Sequence, residues 1–337
     1  MRSTISIDLD ALRRNAARLL EALAGAELWA VVKADAYGHG ALDCARAAVD
    51  GGAAALCVVT VPEALALRRE LREPRILVMG PHTEDELASA REARLELVVF
   101  GGRIPEDVPV HLKLDTGMGR FGFSDLPDPP ANTVALMTHL ATADSDPAFA
   151  NEQLARFLAA ADGYDLPRHA ANSAAALRLP EARFDAARCG VALYGLSPFG
   201  TDPAEDGLEP VLSWHSQLAQ VKQLQPGEST GYGRRFVAEQ PTWIGLVPVG
   251  YADGFRRDLT GTEVLVDGER CRAVGTVSMD SFAVELPREL PVGTTVTIVG
   301  DGLLVEEHAR LAGTINYEIT SRIASGPERA EREVVDA

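Results

Sequence analysis

From residue 28 to about residue 195 the chain alternates short, nearly unbroken apolar runs with amphipathic stretches. The runs are Leu28–Val32, Ala54–Val59, Arg75–Met79, Glu96–Phe100, Val110–Leu114, Thr133–Thr138, Arg168–Ala171 and Cys189–Tyr194. Helical periodicity separates several of them, over Ala41–Val49, Pro62–Leu71, Glu84–Arg91 and Ala148–Ala160, with Pro62 and Pro147 each expected at the first helical position. Strands that are apolar on both faces and alternate with helices predict a parallel sheet covered on both sides. Eight of them fit a (β/α)8 barrel, and an open doubly wound sheet is the alternative. Two connections, 101–109 and 124–132, are proline-rich and too short for a full helix, so a barrel would be trimmed there. After Gly195 the texture changes to short strand-like runs with turn residues: Leu212–Leu224, Thr242–Val249, Glu263–Val266, Arg272–Thr276, Phe282–Leu286 and Thr294–Val299. Val266-Asp267-Gly268-Glu269 carries a hairpin signal. The expected organisation is an N-terminal strand over residues 1–9 packing with the C-terminal part, a barrel over 10–211, and a smaller, mainly β domain over 212–337.

Composition narrows the partners. The chain has 337 residues and a formal net charge of −17, which argues against nucleic acid and anionic membrane surfaces. Cys44, Cys57, Cys189 and Cys271 are far apart and without a Cys-x-x-Cys pair, so four reduced, structural thiols are expected. The first ten residues carry no apolar signal core, and no apolar run is long enough to span a bilayer. A cytoplasmic protein is expected, and no metal.

The most telling run is Val31-Val32-Lys33-Ala34-Asp35-Ala36-Tyr37-Gly38-His39-Gly40. A lysine at the end of a buried strand is easily pushed toward neutrality, and a neutral amine is what forms an imine with an aldehyde. The chain has only three lysines, Lys33, Lys113 and Lys222, and uses arginine for every other side-chain cation that is permanently charged. Where lysine persists, arginine is a poor substitute, and imine formation is such a place.

The Lys33 run resembles the pyridoxal-phosphate lysine motif of alanine racemases. The resemblance continues in order through His111-Leu112-Lys113-Leu114-Asp115-Thr116-Gly117-Met118-Gly119-Arg120, Thr138-His139-Leu140-Ala141-Thr142, Ala171-Asn172-Ser173, Arg188-Cys189-Gly190-Val191, Gly231-Tyr232-Gly233, Gly250-Tyr251-Ala252-Asp253-Gly254, Val277-Ser278-Met279-Asp280 and Asn316-Tyr317-Glu318. It implies a homodimer whose chains each join a cofactor-binding barrel to a β-rich domain. It implies pyridoxal 5'-phosphate as cofactor, alanine as substrate and D-alanine supply for peptidoglycan as the role. Lys33 and Tyr232 are implied as two bases on opposite faces of the substrate, Tyr232 coming from the partner chain, with His139 and Arg188 polarising it. Arg188 would face the pyridine nitrogen. Ser173, Gly190, Val191, Tyr37 and Tyr317 would hold the phosphate, and Tyr317 would narrow the side-chain pocket. Arg120 and the Met279 backbone N–H would hold the substrate carboxylate. Lys113 matches a lysine that is carbamylated in some members, an ordinary salt bridge being the other reading. Tyr251 and Asp280 match residues lining the entrance.

Two positions depart from the family pattern: Thr276 stands where many members have arginine, and Ser278 where cysteine is common. Without the resemblance, Tyr232 between glycines reads as a turn aromatic. A non-catalytic pyridoxal-phosphate carrier, a decarboxylase of the same fold type and a racemase of serine or broader specificity remain as alternatives, and a chiral assay separates them.

Overall fold

The computed structural model describes residues 2–324 and 326–336. They form two compact units, Ala11–Glu209 and a second made of Met1–Asp10 with Pro210–Ala337.

Strand β1 (Ser3–Asp8) opens the chain and belongs to the second unit. The first unit closes eight parallel strands into a barrel: β2 (Glu27–Val31), β3 (Ala55–Val58), β4 (Arg75–Val78), β5 (Glu96–Val99), β6 (Val110–Lys113), β7 (Thr133–Met137), β8 (Arg168–His169) and β9 (Ala186–Cys189). The ring closes where β9 pairs with β2, Glu27 opposite Ala186. This excludes the open sheet. Inside lie Trp29, Val31, Ala55, Cys57, Leu77, Val98, Met137 and Ala186, with Trp29 and Val31, and Ala55 and Cys57, two apart on their strands as a pleat requires. Helices begin on side-chain caps. Thr60 and Glu63 form a capping box at Val61–Glu70, Asp146 accepts from Phe149 N at Pro147–Ala160, and Asn172 accepts from Ala175 N at Ser173–Arg178. Pro147 takes the first helical position as expected, whereas Pro62 takes the second, because the cap is Thr60.

Three expectations are corrected. The eighth strand is Ala186–Cys189, and Val191–Tyr194 is a 3-10 turn, since Gly190 (φ −117°, ψ −84°) breaks the extended path. A helix at Leu9–Leu23 was not anticipated, although Leu9, Leu12, Ala16, Leu19 and Leu23 are buried at helical spacing. The run Leu212–Leu224 is two strands. The connections 101–109 and 124–132 do lack helices. Side chains cover the barrel instead: Ile104, Phe123 and Leu126, with Tyr164, Leu166 and Phe184, pack on Val99, Val110, Leu112, Leu114 and Leu136.

The second unit holds β10 (Leu212–Gln217), β11 (Gln220–Leu224), β12 (Ser229–Thr230), β13 (Phe236–Val237), β14 (Thr242–Val247), β15 (Glu263–Val266), β16 (Glu269–Val274), β17 (Phe282–Leu286), β18 (Thr295–Val299) and β19 (Glu331–Val335). Its main sheet runs β11-β14-β17-β16-β15-β18-β10-β1-β19, with β12 and β13 pairing apart. The β15–β16 hairpin turns at Asp267 (φ 54°) and Gly268 (φ 79°), with Val266 opposite Glu269. Two positive φ values make this the turn whose twist suits a tight hairpin. Short helices Val305–Leu311 and Asn316–Thr320, absent from the sequence expectation, carry Tyr317. All four cysteines are buried thiols outside any disulfide. Among the described residues no helix is long and apolar enough to cross a membrane.

Candidate active site

Buried β2 leads through Val31 and Val32 straight to Lys33, at the carboxyl end of a barrel strand, where barrel active sites are built. The next four residues, Ala34–Tyr37, all lie in the left-handed region, with φ between 50° and 57°. None is glycine. Each such L-residue costs about 1–2 kcal/mol, so the turn must be imposed by its surroundings. The ties are visible: Ala34 N donates to Glu63 Oε1 (2.8 Å), Ala36 N to Val32 O (3.0 Å), and Ala41 N to Asp35 Oδ1 (2.7 Å). The turn doubles the chain back, so that the Tyr37 ring lies 5.9 Å from Lys33 Nζ and 5.3 Å from the ring of Tyr194.

Gly190 explains where the Tyr37 hydroxyl goes. A Cβ at this position would stand 2.5 Å from that oxygen, so only glycine leaves the space. Ser173 Oγ is on the same rim, accepting from Gly190 N (3.1 Å) and Ala192 N (3.4 Å). Hydroxyls and backbone N–H groups thus gather without a cation among them, at the start of Ser173–Arg178. That donor set suits a phosphate, and the missing Cβ of Gly190 is what lets the Tyr37 hydroxyl join it.

The cations stand together on other strands. Arg188 on β9 is buried and donates to His169 Nδ1 (2.6 Å) and to the carbonyls of His169 (3.0 Å), Thr138 (2.9 Å) and Ala170 (3.3 Å); its Nη2 lies 3.3 Å from His139 Nδ1. Burial lowers its pKa to about 10. Lys113 on β6 is buried, and burial, then Arg188 and Arg120, bring its amine down to about 8. Burial, then Arg120, lowers Lys33 as well, with Glu63 pulling the other way. Arg120 is exposed on a loop held by Asp115, whose Oδ1 accepts from Gly117 N (2.9 Å) and Gly119 N (3.1 Å). Gly122 closes that loop so tightly that a Cβ would lie 2.4 Å from Asp115 N. Lys33, Lys113, Arg120 and Arg188 therefore share one neighbourhood in a chain of net charge −17.

The other candidates lie in the second unit. Tyr232 is 74% exposed, between Gly231 and Gly233, both with positive φ. Thr276 Oγ1 donates to the Tyr232 carbonyl (2.8 Å), so the residue that departs from the family pattern anchors this loop. The same segment binds the next loop, Tyr251 N donating to Ser278 O (3.1 Å) and Ala252 N to Met279 O (3.0 Å). Tyr232, Tyr251 and Met279 are thus linked through residues 275–281, and Met279 is 51% exposed. The Asp280 carboxylate is paired with Arg329 (2.7 Å) and Arg2 (3.8 Å). Tyr317 is half-buried on its short helix.

Sequence reasoning passed over Glu63, His169 and Glu96, and it quoted His111 without assigning it a role. Glu96, His111 and His169 sit on strands otherwise read as apolar, and that mismatch was the available signal, whereas Glu63 lies in the first turn of a helix.

Burial, then Arg188, holds both His139 and His169 well below the ordinary histidine value. Between their folded pKa values and about 6.5 the unfolded chain binds more protons, so stability is full above that pH and falls as the solution is acidified. Each contributes a slope of about 1.4 kcal/mol per pH unit. Urea unfolding between pH 7.5 and 5.5 should show His169→Asn losing one such increment. An unchanged slope would contradict this.

The chain matches the family models described as "Alanine racemase, N-terminal domain" over residues 7–198 and "Alanine racemase, C-terminal domain" over residues 211–332. The alanine racemase of Geobacillus kaustophilus is 40% identical over 357 aligned residues, covering 95% of this chain and 91% of that protein. That of Lactiplantibacillus plantarum is 40% identical, covering 95% of each. Among solved structures, the biosynthetic alanine racemase of Pseudomonas aeruginosa superposes with a TM-score of 0.92 at 37% identity, each chain covered fully. The E. faecalis alanine racemase gives 0.91 at 36% identity, covering 99% of this chain and 98% of that one.

Proposed function

The chain belongs to the alanine racemase family, and from that premise we propose that it interconverts L-alanine and D-alanine with pyridoxal phosphate, Lys33 and Tyr232 serving as the two bases. The observation that carries this reading is the gathering of Lys33, Lys113, Arg120 and Arg188 beside a cation-free cradle of hydroxyl and N–H donors. It is an arrangement for two anions, a phosphate and a carboxylate, with an amine of lowered pKa between them.

Lys33 would hold the cofactor through its amine. Ser173, Gly190, Val191, Tyr37 and Tyr317 would hold its phosphate, with Arg188 facing the ring nitrogen beside His139. When bound, this cofactor supplies an electron-withdrawing ring that acidifies the α-C–H bond of an attached amino acid. The remaining chemistry belongs to the chain. Lys33 takes or returns the α-proton on one face, and its lowered pKa favours the free amine that this needs. Tyr232 does the same on the other face, polarised by His139 and Arg188. Arg120 and the Met279 N–H fix the carboxylate, so that the same bond faces a base in either enantiomer. Arg188 stays a donor throughout, because a guanidinium does not give up its proton. The Lys113 amine, brought to about 8, is open to carbamylation that would orient Arg120, or remains a cation beside Asp115.

Tyr232 and Met279 have roles here yet are exposed, and a second copy of the chain is the proposed cover. Each site would join one protomer's barrel to its partner's β unit. The proposed setting is the cytoplasm, with D-alanine drawn into peptidoglycan.

Chiral chromatography tests the assignment. L-alanine and D-alanine should each run to an equal mixture. L-serine should show a kcat/KM at least about ten-fold lower, since one added group in a tight pocket is worth about 10–200-fold. Cofactor binding without turnover would favour a carrier, and faster serine turnover a broader racemase.

A further inference from the structure

A file of hydrogen bonds crosses the barrel interior from Arg188 to the opposite rim, where β4 and β5 begin. Arg188 Nη1 lies 2.6 Å from His169 Nδ1, His169 Nε2 lies 2.8 Å from His111 Nδ1, and His111 Nε2 lies 2.8 Å from Glu96 Oε2. Arg75 closes the file, its Nε 2.9 Å from Glu96 Oε1 and its Nη2 3.1 Å from Oε2. Both imidazoles are buried, and Trp29 packs against each, with ring centroids 5.7 and 4.5 Å away. Arg75 in turn lies 5.0 Å from the Trp29 ring.

The donors and acceptors along this file leave one assignment. A guanidinium only donates, so His169 Nδ1 must accept. The His169 proton is then on Nε2 and is donated to His111 Nδ1. The His111 proton is therefore on Nε2 and is donated to Glu96. An ionised carboxylate only accepts, and here it accepts from both sides. An additional proton on either ring would set N–H against N–H. Hydrogen bonds from His111 and Arg75 outweigh the effect of burial on Glu96 and keep its carboxyl at about 2, so the file stays anchored.

Arg188 needs that order. Among the described residues no carboxylate is paired with it. Its donors go to carbonyls and to His169, with His139 Nδ1 in reach. A carboxylate in direct contact would cancel its charge beside the site. Placed two imidazoles away, Glu96 fixes the acceptor without doing so.

We propose that Glu96 and His111 are positioning residues for the reaction: they hold His169 Nδ1 bare as an acceptor and thereby keep the Arg188 guanidinium in place, charged and facing the site. This rests on the role given to Arg188 above, and the test separates the two.

In the holoenzyme labelled with [15N]histidine, long-range proton–nitrogen correlation spectra should show His111 and His169 neutral, protonated on Nε2 and bare on Nδ1. Glu96→Gln offers an amide donor in place of the carboxylate. The file can then reverse, leaving a His169 N–H against Arg188. The variant should show the other tautomer at His169 and a kcat about ten-fold lower in both directions, the usual scale for a lost second-layer partner. KM should stay within about two-fold and cofactor should remain bound. Arg75→Met, which leaves the carboxylate in place, should keep both tautomers and kcat within about two-fold. A proton on Nδ1 of either residue in the unaltered enzyme would overturn the proposal, even if no variant folds. So would Glu96→Gln with unchanged tautomers and unchanged kcat. Correct tautomers in a protein that never racemises alanine would instead overturn the functional assignment.

Discussion

Lys33→Ala is expected to lower racemisation in both directions by about 10^4-fold or more, because on the proposed assignment it would remove the covalent tether for the cofactor and a proton-transferring group together. The direct measurement is chemical. Borohydride reduction of the holoenzyme followed by peptide mass mapping should place a pyridoxyl group on Lys33. Lys113 is the informative competitor, being a buried amine with a pKa of about 8 in the same neighbourhood. What distinguishes Lys33 is its position, directly after β2 and against the turn that brings back Tyr37. A pyridoxyl group on Lys113 or Lys222 would remove the basis of the mechanism.

Tyr232→Phe should slow racemisation by about 10^3-fold in each direction, within the range for loss of a positioned acid–base group. The two directions must suffer equally, since mirror-image substrates fix the equilibrium constant. Exchange is the discriminating readout. D-alanine should still trade its α-hydrogen for deuterium in D2O through Lys33, while the product enantiomer appears far more slowly than the label. Loss of this exchange in a variant that keeps its cofactor would contradict the division of labour. The location of Tyr232 adds a second test. If each site combines Lys33 of one protomer with Tyr232 of the other, then Lys33→Ala and Tyr232→Ala chains, each inactive alone, should recover activity when dissociated and reassembled together. Random pairing makes about half the dimers mixed, so about one site in four should work. Mixed dimers, confirmed by mass, that remain inactive would place both residues within one chain.

Much of the barrel was legible because a strand covered on both faces must be apolar throughout, and runs such as Ala54–Val59 have no other reading. The eighth strand was misplaced for the converse reason. Ala186–Cys189 contains the buried Arg188, so the apolar stretch Val191–Tyr194 looked the better strand, although Gly190 turns it into a 3-10 segment. Lys33, Arg120 and Tyr232 stood out in short contiguous motifs. Glu96, His111 and His169 did not, because their meaning depends on the register of β5, β6 and β8, which no local pattern specifies. Glu63 was hidden in an ordinary capping box made by its Oε2, while its other oxygen, Oε1, takes Ala34 N. The left-handed path of Ala34–Tyr37 was illegible altogether, since such a path is usually announced by glycine and here has none.

That path has the handedness that mirror-image residues would take without strain. Glycines there would relax it, and would also open the wide range of conformations that glycine alone can visit. Side chains with a Cβ leave the backbone one narrow well. The four strained residues therefore act as a stiff bracket between the amine of Lys33 and the hydroxyl of Tyr37, two groups assigned to opposite ends of the same ligand. The entropy of setting their separation is lost once, as the barrel folds, and not again each time a ligand arrives. A local conformation that destabilises the protein is in this way a source of affinity.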